Sequence, residues 1–295
     1  MIVYFLRALI REMRPKQWLK NSVIFAALVF DRQLGPSHLD AVLRTLAGFG
    51  VFCMLSGVVY MINDIADIEA DRQHPKKRSR PIASGELSIR AAILSSCVIL
   101  AVLTPISIWL SPNFALVALA YFVLNLAYSR WLKHIVLIDV IAIALGFVLR
   151  VAAGVTLIQV TRFSPWLYIC MTLGALFIGF GKRRAELVLL EQDANSHRKV
   201  LDGYTLPFLD QCILIVSSTT IIAYSLYTFS APNLPENHIM MLTVPFVLYG
   251  VFRYLYINQV ENQGGAPEDV ILSDRPLQVT VLLWGLSVLF IFYLF

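Results

Sequence analysis

The sequence predicts an all-α, polytopic membrane protein with about nine transmembrane helices. The chain has 295 residues, of which 58% are hydrophobic and only 15% are charged, and its mean hydropathy is +0.71. A water-soluble protein of this length carries far more charge. The apolar residues also gather in blocks, and several blocks approach the ~20 residues that an α-helix needs to cross a bilayer core of ~30 Å.

Nine apolar blocks define the predicted spans, within a single domain over residues 1–295. The first block is shorter than the others and is expected to be tilted or partly interfacial. We expect no cleavable signal peptide, because basic residues follow a short and interrupted apolar start. The predicted spans are residues 21–34, 41–62, 91–110, 113–128, 135–160, 165–181, 212–230, 239–257 and 277–295.

The basic residues predict the orientation of these spans, because Lys and Arg concentrate on the cytoplasmic side of membrane proteins. With a cytoplasmic N-terminus and an external C-terminus, all Lys and Arg are cytoplasmic except Arg32, Arg44, Arg150 and Arg162. The net charge of +5 therefore describes one face, which favours anionic lipid and phosphorylated ligands rather than nucleic acid. The four cysteines have no paired spacing and predict neither disulfides nor a zinc site.

The segment NDIADIEADRQHPKKRSRPIASG, residues 63–85, places acidic and basic groups at the end of the second predicted span. On one continuous helix Asp64, Asp67 and Asp71 share a face, and Asn63 borders it. Three carboxylates so close together repel one another and need compensation. Mg²⁺ supplies it, because this ion takes hard oxygen ligands and shares its coordination shell with substrate phosphates. The alternative is a solvated helix end with Arg72 and Lys76 as ion-pair partners.

The basic run after the aspartates predicts a diphosphate-binding loop. Proline cannot continue a helix, so the His74-Pro75 pair predicts the helix end. Lys77, Arg78 and Arg80 then follow on a loop beside the expected metal site. Cations next to metal-binding carboxylates suit a diphosphate ligand.

A second polar stretch, YSRWLKHIVLID at residues 128–139, occupies the equivalent place after the fourth predicted span. It holds a single carboxylate, Asp139, together with Tyr128, Arg130 and Lys133. Arg150 lies eleven residues further on, on roughly the same helix face, so we predict that it pairs with Asp139. This pair is either functional or purely structural.

The pattern Asn-Asp-x-x-Asp-x-x-x-Asp after the second span resembles the UbiA-type intramembrane prenyltransferase superfamily. The resemblance implies two aspartate-rich motifs that hold Mg²⁺ and a prenyl diphosphate in a helical cavity open to the cytoplasm and lipid. The second motif departs from that pattern. With RPKQWLKN at 14–21, HPKKRSRPIASG at 74–85 and GKRRAEL at 181–187, it is similar to the decaprenyl-phosphate phosphoribosyltransferase branch.

Membership of this branch implies a different donor and acceptor. The lipid is then a polyprenyl monophosphate, and the diphosphate belongs to 5-phosphoribosyl 1-diphosphate (PRPP). The implied catalytic residues are Asp64, Asp67, Tyr128, Lys133 and Asp139, and the implied ligands of Mg²⁺ are Asn63, Asp64, Asp67 and Asp71. The candidate substrate-binding residues are Asn63 and the cations Lys16, Lys20, Lys77, Arg78, Arg80, Lys133, Arg150, Lys182 and Arg183.

Two other functions stay open on the sequence. One is an ordinary UbiA-type prenyltransferase with an aromatic acceptor, and the other is a non-enzymatic transporter or lipid-binding protein. The expected location is a bacterial plasma membrane with the active site facing the cytoplasm, and a homo-oligomer is left open. Residues 182–204 form either a cytoplasmic helix that closes over the site or a charged connector.

Overall fold

The computed structural model describes residues 2–74, 77–160, 164–192, 199–231, 234–261, 270 and 273–294. Regular structure in these ranges is helical throughout, which confirms the predicted all-α class. The α-helices in chain order are α1 (Ile2–Glu12), α2 (Ala26–Phe30), α3 (Leu39–Ala66), α4 (Ile68–Gln73), α5 (Ile89–Leu110), α6 (Pro112–Arg130), α7 (Ile138–Val155), α8 (Pro165–Gln192), α9 (Leu206–Ser230), α10 (Val244–Gln259) and α11 (Arg275–Leu294). Short 3₁₀ segments connect several of them.

Within the described residues, eight helices are long and apolar enough to cross a membrane, and the chain is a multi-pass membrane protein. They are Pro36–Ala66, Ile89–Leu110, Pro112–Arg130, Ile138–Val155, Pro165–Leu189, Leu206–Ser230, Ile239–Gln259 and Arg275–Leu294. Helix α5 illustrates the lipid-facing surface. Trp109 is 81% exposed, and only 17% of the most apolar 18-residue stretch of this helix is buried by the rest of the protein. Such apolar exposure suits hydrocarbon rather than water.

The predicted first span, residues 21–34, is not among these eight helices. This part of the chain is a 3₁₀ segment, Pro15–Phe25, followed by the five-residue helix α2. Nominal rises of about 2.0 Å per residue for 3₁₀ and 1.5 Å for α would carry both together across about 30 Å. However, the 3₁₀ segment includes Lys16, Gln17 and Lys20, so its hydropathy is low. The count of nine and the side of the N-terminus stay predictions.

The chain divides into two compact units, each with its own apolar core. Unit 1 comprises Met1–Val29, Gln33–Ser129 and Leu149–Val160, and unit 2 comprises Phe30–Arg32, Arg130–Val148 and Thr161–Phe295. The extent of the single predicted domain stays a prediction.

Unit 1 is built around α3, which packs against α5 and against the 3₁₀ segment Pro15–Phe25. Phe52 on α3 contacts the rings of Phe114 and Tyr121 at centroid distances of 5.8 and 5.0 Å. Gly154, near the end of α7, lies against the backbone at Ile24, where a Cβ atom would come within 2.0 Å of the Ile24 carbonyl oxygen. Only glycine permits this approach, which fixes the 3₁₀ segment against α7.

Unit 2 is organised by the long contact between α8 and α9. Its core includes Phe177 on α8, Leu209 and Ile213 on α9 and Tyr254 on α10, all of them buried. Thr205 begins α9 as an N-cap, since its hydroxyl accepts the backbone N–H of Phe208. This cap places Tyr204 and the preceding 3₁₀ segment, Lys199–Gly203, directly at the start of a rigid helix.

Candidate active site

The aspartates of the first motif lie at a break between two helices. Helix α3 ends at Ala66, Asp67 occupies a turn, and α4 begins at Ile68, so the helix is not continuous as predicted. Asp64 and Asp71 are buried, with 4% and 2% exposed, whereas Asp67 is exposed. The structure therefore brings together two of the three aspartates and turns the third outward. Helix α4 ends at Gln73, in agreement with the predicted end at His74.

Arginine side chains compensate the two buried carboxylates. Arg80 bridges them, because its Nη1 lies 3.0 Å from Asp64 Oδ1 and 2.5 Å from Asp71 Oδ2. Arg14 donates Nη2 to both oxygens of Asp64, at 2.6 and 2.5 Å. Lys77 Nζ lies 3.9 Å from Asp71 Oδ1. Buried charges of this kind are tolerated only when opposite charges and hydrogen bonds satisfy them.

Arg14 reaches Asp64 from the junction after α1. Its backbone is left-handed, with φ 52 and ψ 66, a conformation that an arginine adopts only under local constraint. Its guanidinium also lies 4.7 Å from the ring centroid of Tyr60 on α3, a cation–π contact. The same junction brings in Glu12, the last residue of α1, which is 1% exposed and whose Oε2 accepts the backbone N–H of Ile82 at 3.2 Å.

Glu12 adds a third carboxyl beside Asp64. Burial, a hydrogen bond shared with Asp64 and repulsion from that carboxylate raise the pKa of Glu12 to about 8. Glu12 is therefore largely protonated at neutral pH and adds little negative charge. Glu12, Arg14, Asp64, Asp71 and Arg80 are called the Asp64 cluster below. A cavity of about 420 Å³ lies against it, lined also by Arg11, Ser79 and Pro81.

The second motif forms a different cluster in unit 2. Asp139, in the first turn of α7, is fully buried. Its Oδ2 lies 2.8 Å from Arg183 Nε, and its Oδ1 accepts the hydroxyl of Tyr204 at 2.7 Å. Arg183 also pairs with Glu186 one turn along α8. Asp139, Arg183, Glu186 and Tyr204 are called the Asp139 cluster below.

The predicted Asp139–Arg150 pair is wrong. Eleven residues return to nearly the same helix face, but they advance about 16 Å along the axis, further than an arginine side chain reaches. Arg150 instead donates to Asn21 Oδ1 at 2.8 Å and to the Tyr121 hydroxyl at 2.7 Å. It also lies over the Tyr121 ring at 4.7 Å. Arg150 is thus buried in unit 1, and its predicted contact with substrate stays a prediction.

Comparison with known proteins identifies the fold. A family model described as the UbiA prenyltransferase family matches residues 22–268. This chain belongs to the UbiA prenyltransferase family. A UbiA homologue from Archaeoglobus fulgidus, solved with GPP and Mg²⁺, matches with a TM-score of 0.73 at 20% identity, over 97% of this chain and 99% of that one.

Two sequence relatives share one name and cover most of the chain. Decaprenyl-phosphate phosphoribosyltransferase of Mycolicibacterium smegmatis is 33% identical in an alignment 289 residues long that covers 94% of this chain and 89% of that protein. The protein of that name from Corynebacterium glutamicum is 32% identical in an alignment 293 residues long that covers 97% of this chain and 87% of that protein. The UbiA-type resemblance seen in the motifs is thereby confirmed.

The UbiA homologue from Archaeoglobus fulgidus was solved with Mg²⁺, and the first aspartate motif of this chain has side chains of the right chemistry for such an ion. Asn63, Asp64, Asp67 and Asp71 all offer hard oxygen atoms. Asn63 directly precedes Asp64 in the sequence, and its Oδ1 is buried without a hydrogen-bond partner in the described part of the chain. No group of three or more His, Cys, Asp or Glu side chains in the described residues is already gathered as a metal site.

The other predicted cations of this UbiA chain differ in how far they are exposed. Lys16 and Arg78 are exposed, while Lys20, Lys133 and Lys182 are half-buried. Arg183 is 1% exposed and engaged by two carboxylates, a geometry that favours a structural role over direct substrate contact. Tyr128 lies in the last turn of α6, three residues before the connection that carries Lys133.

Arg14, Glu12 and Tyr204 are the site residues that the motifs do not reveal. Arg14 stands 50 residues before Asp64 and Tyr204 stands 65 after Asp139, so no helix periodicity links them. The signal available for Arg14 was its place at the head of the RPKQWLKN stretch, whose lysines alone were assigned. The predicted segment 182–204 is only partly described: α8 extends to Gln192, and 193–198 lie outside the described residues.

Proposed function

We propose that this UbiA-family protein transfers 5-phosphoribose from PRPP to a polyprenyl phosphate of decaprenyl type. The products are polyprenyl-phosphoryl-5-phosphoribose and diphosphate, and the lipid product serves as a precursor of lipid-linked arabinose for cell-envelope glycans. The relatives that span more than nine-tenths of the chain are named for a decaprenyl-phosphate phosphoribosyltransferase, which supports this choice. The site faces the cytoplasm of a bacterial plasma membrane.

The observation that carries the proposal is the charge composition of the Asp64 cluster. Asp64 shares a cavity wall with Arg11, Arg14 and Arg80. Asp71, the second buried carboxylate, pairs with Arg80 and lies beside Lys77. One cluster of aspartates accompanied by many cations suits a set of ligands with high negative charge, such as a sugar diphosphate with a further phosphate. A prenyl diphosphate as the only phosphorylated ligand would instead suit two clusters of aspartates and fewer cations.

Asn63, Asp64, Asp67 and Asp71 are the residues proposed to hold Mg²⁺. When bound, this ion would neutralise charge on the departing diphosphate. Arg14 and Arg80 already contact Asp64, so they are placed to bind the diphosphate oxygens at the same cavity wall. Arg80 and Asp71 are also within hydrogen-bond distance, which orients the arginine.

The proposed reaction is a direct displacement at the anomeric carbon of PRPP. A lipid phosphate oxygen forms the new bond to that carbon, while the bond from the carbon to the diphosphate oxygen breaks and the diphosphate leaves with the electron pair. The transition state has oxocarbenium character, as in other glycosyl transfers. No general base is required, because a phosphate is ionised near neutral pH. Inversion at the anomeric carbon follows.

The second motif has supporting roles in this proposal. Tyr128 hydrogen-bonds the ribose or a phosphate, and Lys133 holds one phosphate. Asp139 acts from its buried ion pair with Arg183, so its contribution is to the shape of the motif rather than to bond making.

The decisive experiment is a donor test with purified protein in a bilayer mimetic. The protein is incubated with PRPP, with a polyprenyl monophosphate, with both, and with both plus a chelator of Mg²⁺, and released diphosphate is measured. We expect release only when both substrates and Mg²⁺ are present. A parallel reaction supplies a prenyl diphosphate and an aromatic acceptor. Turnover there, with PRPP ignored, would make the chain an ordinary prenyltransferase, and no turnover in either reaction would favour the transporter alternative.

A further inference from the structure

Tyr204 caps the start of α7 from a distant part of unit 2. Helix α7 begins at Ile138, and the first N–H groups of a helix have no partner within it. The N–H of Leu137, directly before α7, donates to the Tyr204 hydroxyl at 2.7 Å. The same hydroxyl donates to Asp139 Oδ1 at 2.7 Å. One oxygen atom thus satisfies a backbone group and a buried carboxylate two residues apart.

The protonation of Tyr204 fixes the direction of this bridge. Burial and the hydrogen bond to Asp139 raise the pKa of the phenol, so it keeps its proton at neutral pH. It therefore accepts from Leu137 and donates to Asp139. Arg183 holds the other oxygen of Asp139 at 2.8 Å, and both charged residues are almost fully buried.

The backbone next to this bridge is strained. Leu137 has φ 68, in the left-handed region that branched and bulky residues avoid. Gly203 packs directly on Val136, the residue before Leu137, since a Cβ atom at Gly203 would lie 2.4 Å from Val136 Cγ2. The segment before α9 is therefore pressed against the connection before α7. A strained conformation persists only where its surroundings hold it.

The connection held in this way carries Lys133. It comprises Trp131 to Leu137 and includes the 3₁₀ turn Leu132–His134, with local bonds from His134 N to Trp131 O and from Ile135 N to Leu132 O. It follows α6 and ends at the Tyr204 contact. Lys133 lies four residues before Leu137, within the segment whose end contacts Tyr204.

We propose that Tyr204 is a positioning residue for Lys133: its hydroxyl, bonded to Leu137 N–H and Asp139, sets the conformation of residues 131–137. This inference rests on the proposed function, in which Lys133 holds a substrate phosphate. Tyr204 touches no substrate in this scheme. Its loss acts through Lys133, and that dependence separates positioning from a general contribution to folding.

A double-mutant cycle tests the dependence. Tyr204→Phe keeps the ring and removes the hydroxyl, and Lys133→Ala removes the proposed phosphate contact. We expect Tyr204→Phe to raise KM for PRPP by about 3- to 10-fold, the range for one lost hydrogen bond, with a smaller change in kcat. In the Lys133→Ala background the same change should raise KM less than about 2-fold, because coupled residues are non-additive.

A matched control is Tyr224→Phe on α9. Tyr224 is also buried in unit 2, and its hydroxyl contacts Thr243 Oγ1 and accepts from Trp284 Nε1, each at 2.7 Å. Tyr224→Phe therefore removes a buried tyrosine hydroxyl, as Tyr204→Phe does, but at a position far from Lys133 in the sequence. We expect near-normal KM for PRPP in both backgrounds. An equal rise in KM from Tyr224→Phe would mark the Tyr204 effect as general destabilisation.

Amide hydrogen exchange gives a readout that does not depend on turnover. In Tyr204→Phe the peptide that covers residues 131–139 should exchange faster than in wild type, while the peptide within α9 should be unchanged. Unchanged exchange at 131–139, or additive KM effects in the cycle, would overturn the positioning role. If wild type ignores PRPP, the proposed function fails. The same cycle is then measured with prenyl diphosphate, where additivity overturns the role and non-additivity retains it.

Discussion

The Asp64 cluster and the Asp139 cluster both pair arginines with carboxyl groups, and they differ in how far water reaches them. Arg14 and Arg80 are 29% and 27% exposed at their side chains, and a cavity lies beside them. Arg183 and Asp139 are 1% and 0% exposed. Cations that remain partly exposed can exchange a carboxylate partner for a ligand phosphate. A fully enclosed pair cannot do so without opening the fold, which makes the second cluster a structural lock.

The largest expected effect is on stability, at the closed cluster. Asp139→Asn leaves Arg183 buried with one carboxylate fewer, and breaking a buried pair costs about 3–5 kcal/mol. We expect a marked fall in the thermal midpoint of unfolding of the purified protein. Replacing both partners, with Asp139→Leu and Arg183→Met, should recover part of the loss because no charge is left uncompensated. A normal midpoint in Asp139→Asn would show that the Asp139–Arg183 ion pair does not stabilise the fold.

The open cluster should respond in activity rather than in stability. Asp64→Asn keeps the shape of the side chain and removes its charge, so we expect a loss of turnover on the order of 10²–10³-fold. Folding should be largely retained, because Arg14 and Arg80 are partly in contact with water. Initial rates over a Mg²⁺ titration measure the effect.

The same titration on the neighbouring aspartates separates metal binding from ion pairing. Asp67 is exposed, so Asp67→Asn should abolish turnover without loss of stability if Asp67 is a metal ligand. Asp71→Asn should be milder, since Arg80 retains Asp64. If Asp64→Asn and Asp67→Asn both work at near-normal rates at low Mg²⁺, the metal site lies elsewhere.

The comparison also explains what could be predicted from sequence. Asp64, Asp71 and Arg80 lie within 17 residues, so helix periodicity and the helix end at His74 were enough to expect them together. Arg14 and Tyr204 join their clusters only through the packing of distant segments, which local patterns do not encode. The predicted Asp139–Arg150 pair is wrong because two residues on the same helix face can still be too far apart along the helix axis. The apolar blocks predicted the helices well, except where polar residues break up the first.

Lys133 tests whether the two clusters serve one reaction. Lys133→Ala should weaken apparent PRPP affinity or turnover by about 1.5–3 kcal/mol, the range for a hydrogen bond to a charged group. Lys133→Glu should lower activity further, because a carboxylate repels the substrate phosphate. Steady-state kinetics with PRPP as the varied substrate measure both variants. If Lys133→Ala keeps normal affinity and turnover with PRPP, Lys133 does not bind a substrate phosphate.

The smallest effect concerns pH and again distinguishes the open cluster from the closed one. The pKa of Glu12 is about 8 in the fold and near 4.5 when unfolded, because burial and Asp64 favour its protonated form. The fold is therefore most stabilised by this group below about pH 4.5, and the contribution is lost as pH rises towards 8. Glu12→Gln keeps an oxygen for the Ile82 N–H and cannot ionise.

The expected result is a thermal midpoint that falls between about pH 5 and 8 in wild type and falls less in Glu12→Gln. We expect the two proteins to differ by about 1–2 kcal/mol at pH 9. This is less than the full shift would give at ~1.4 kcal/mol for each pKa unit, because the neighbouring arginines face a water-accessible cavity. Glu86→Gln, at an exposed pair with Arg11, is the matched control and should leave the pH dependence unchanged. Parallel curves for wild type and Glu12→Gln would mean that Glu12 is ionised beside Asp64, and the Asp64 cluster would then carry one more negative charge for a metal to neutralise.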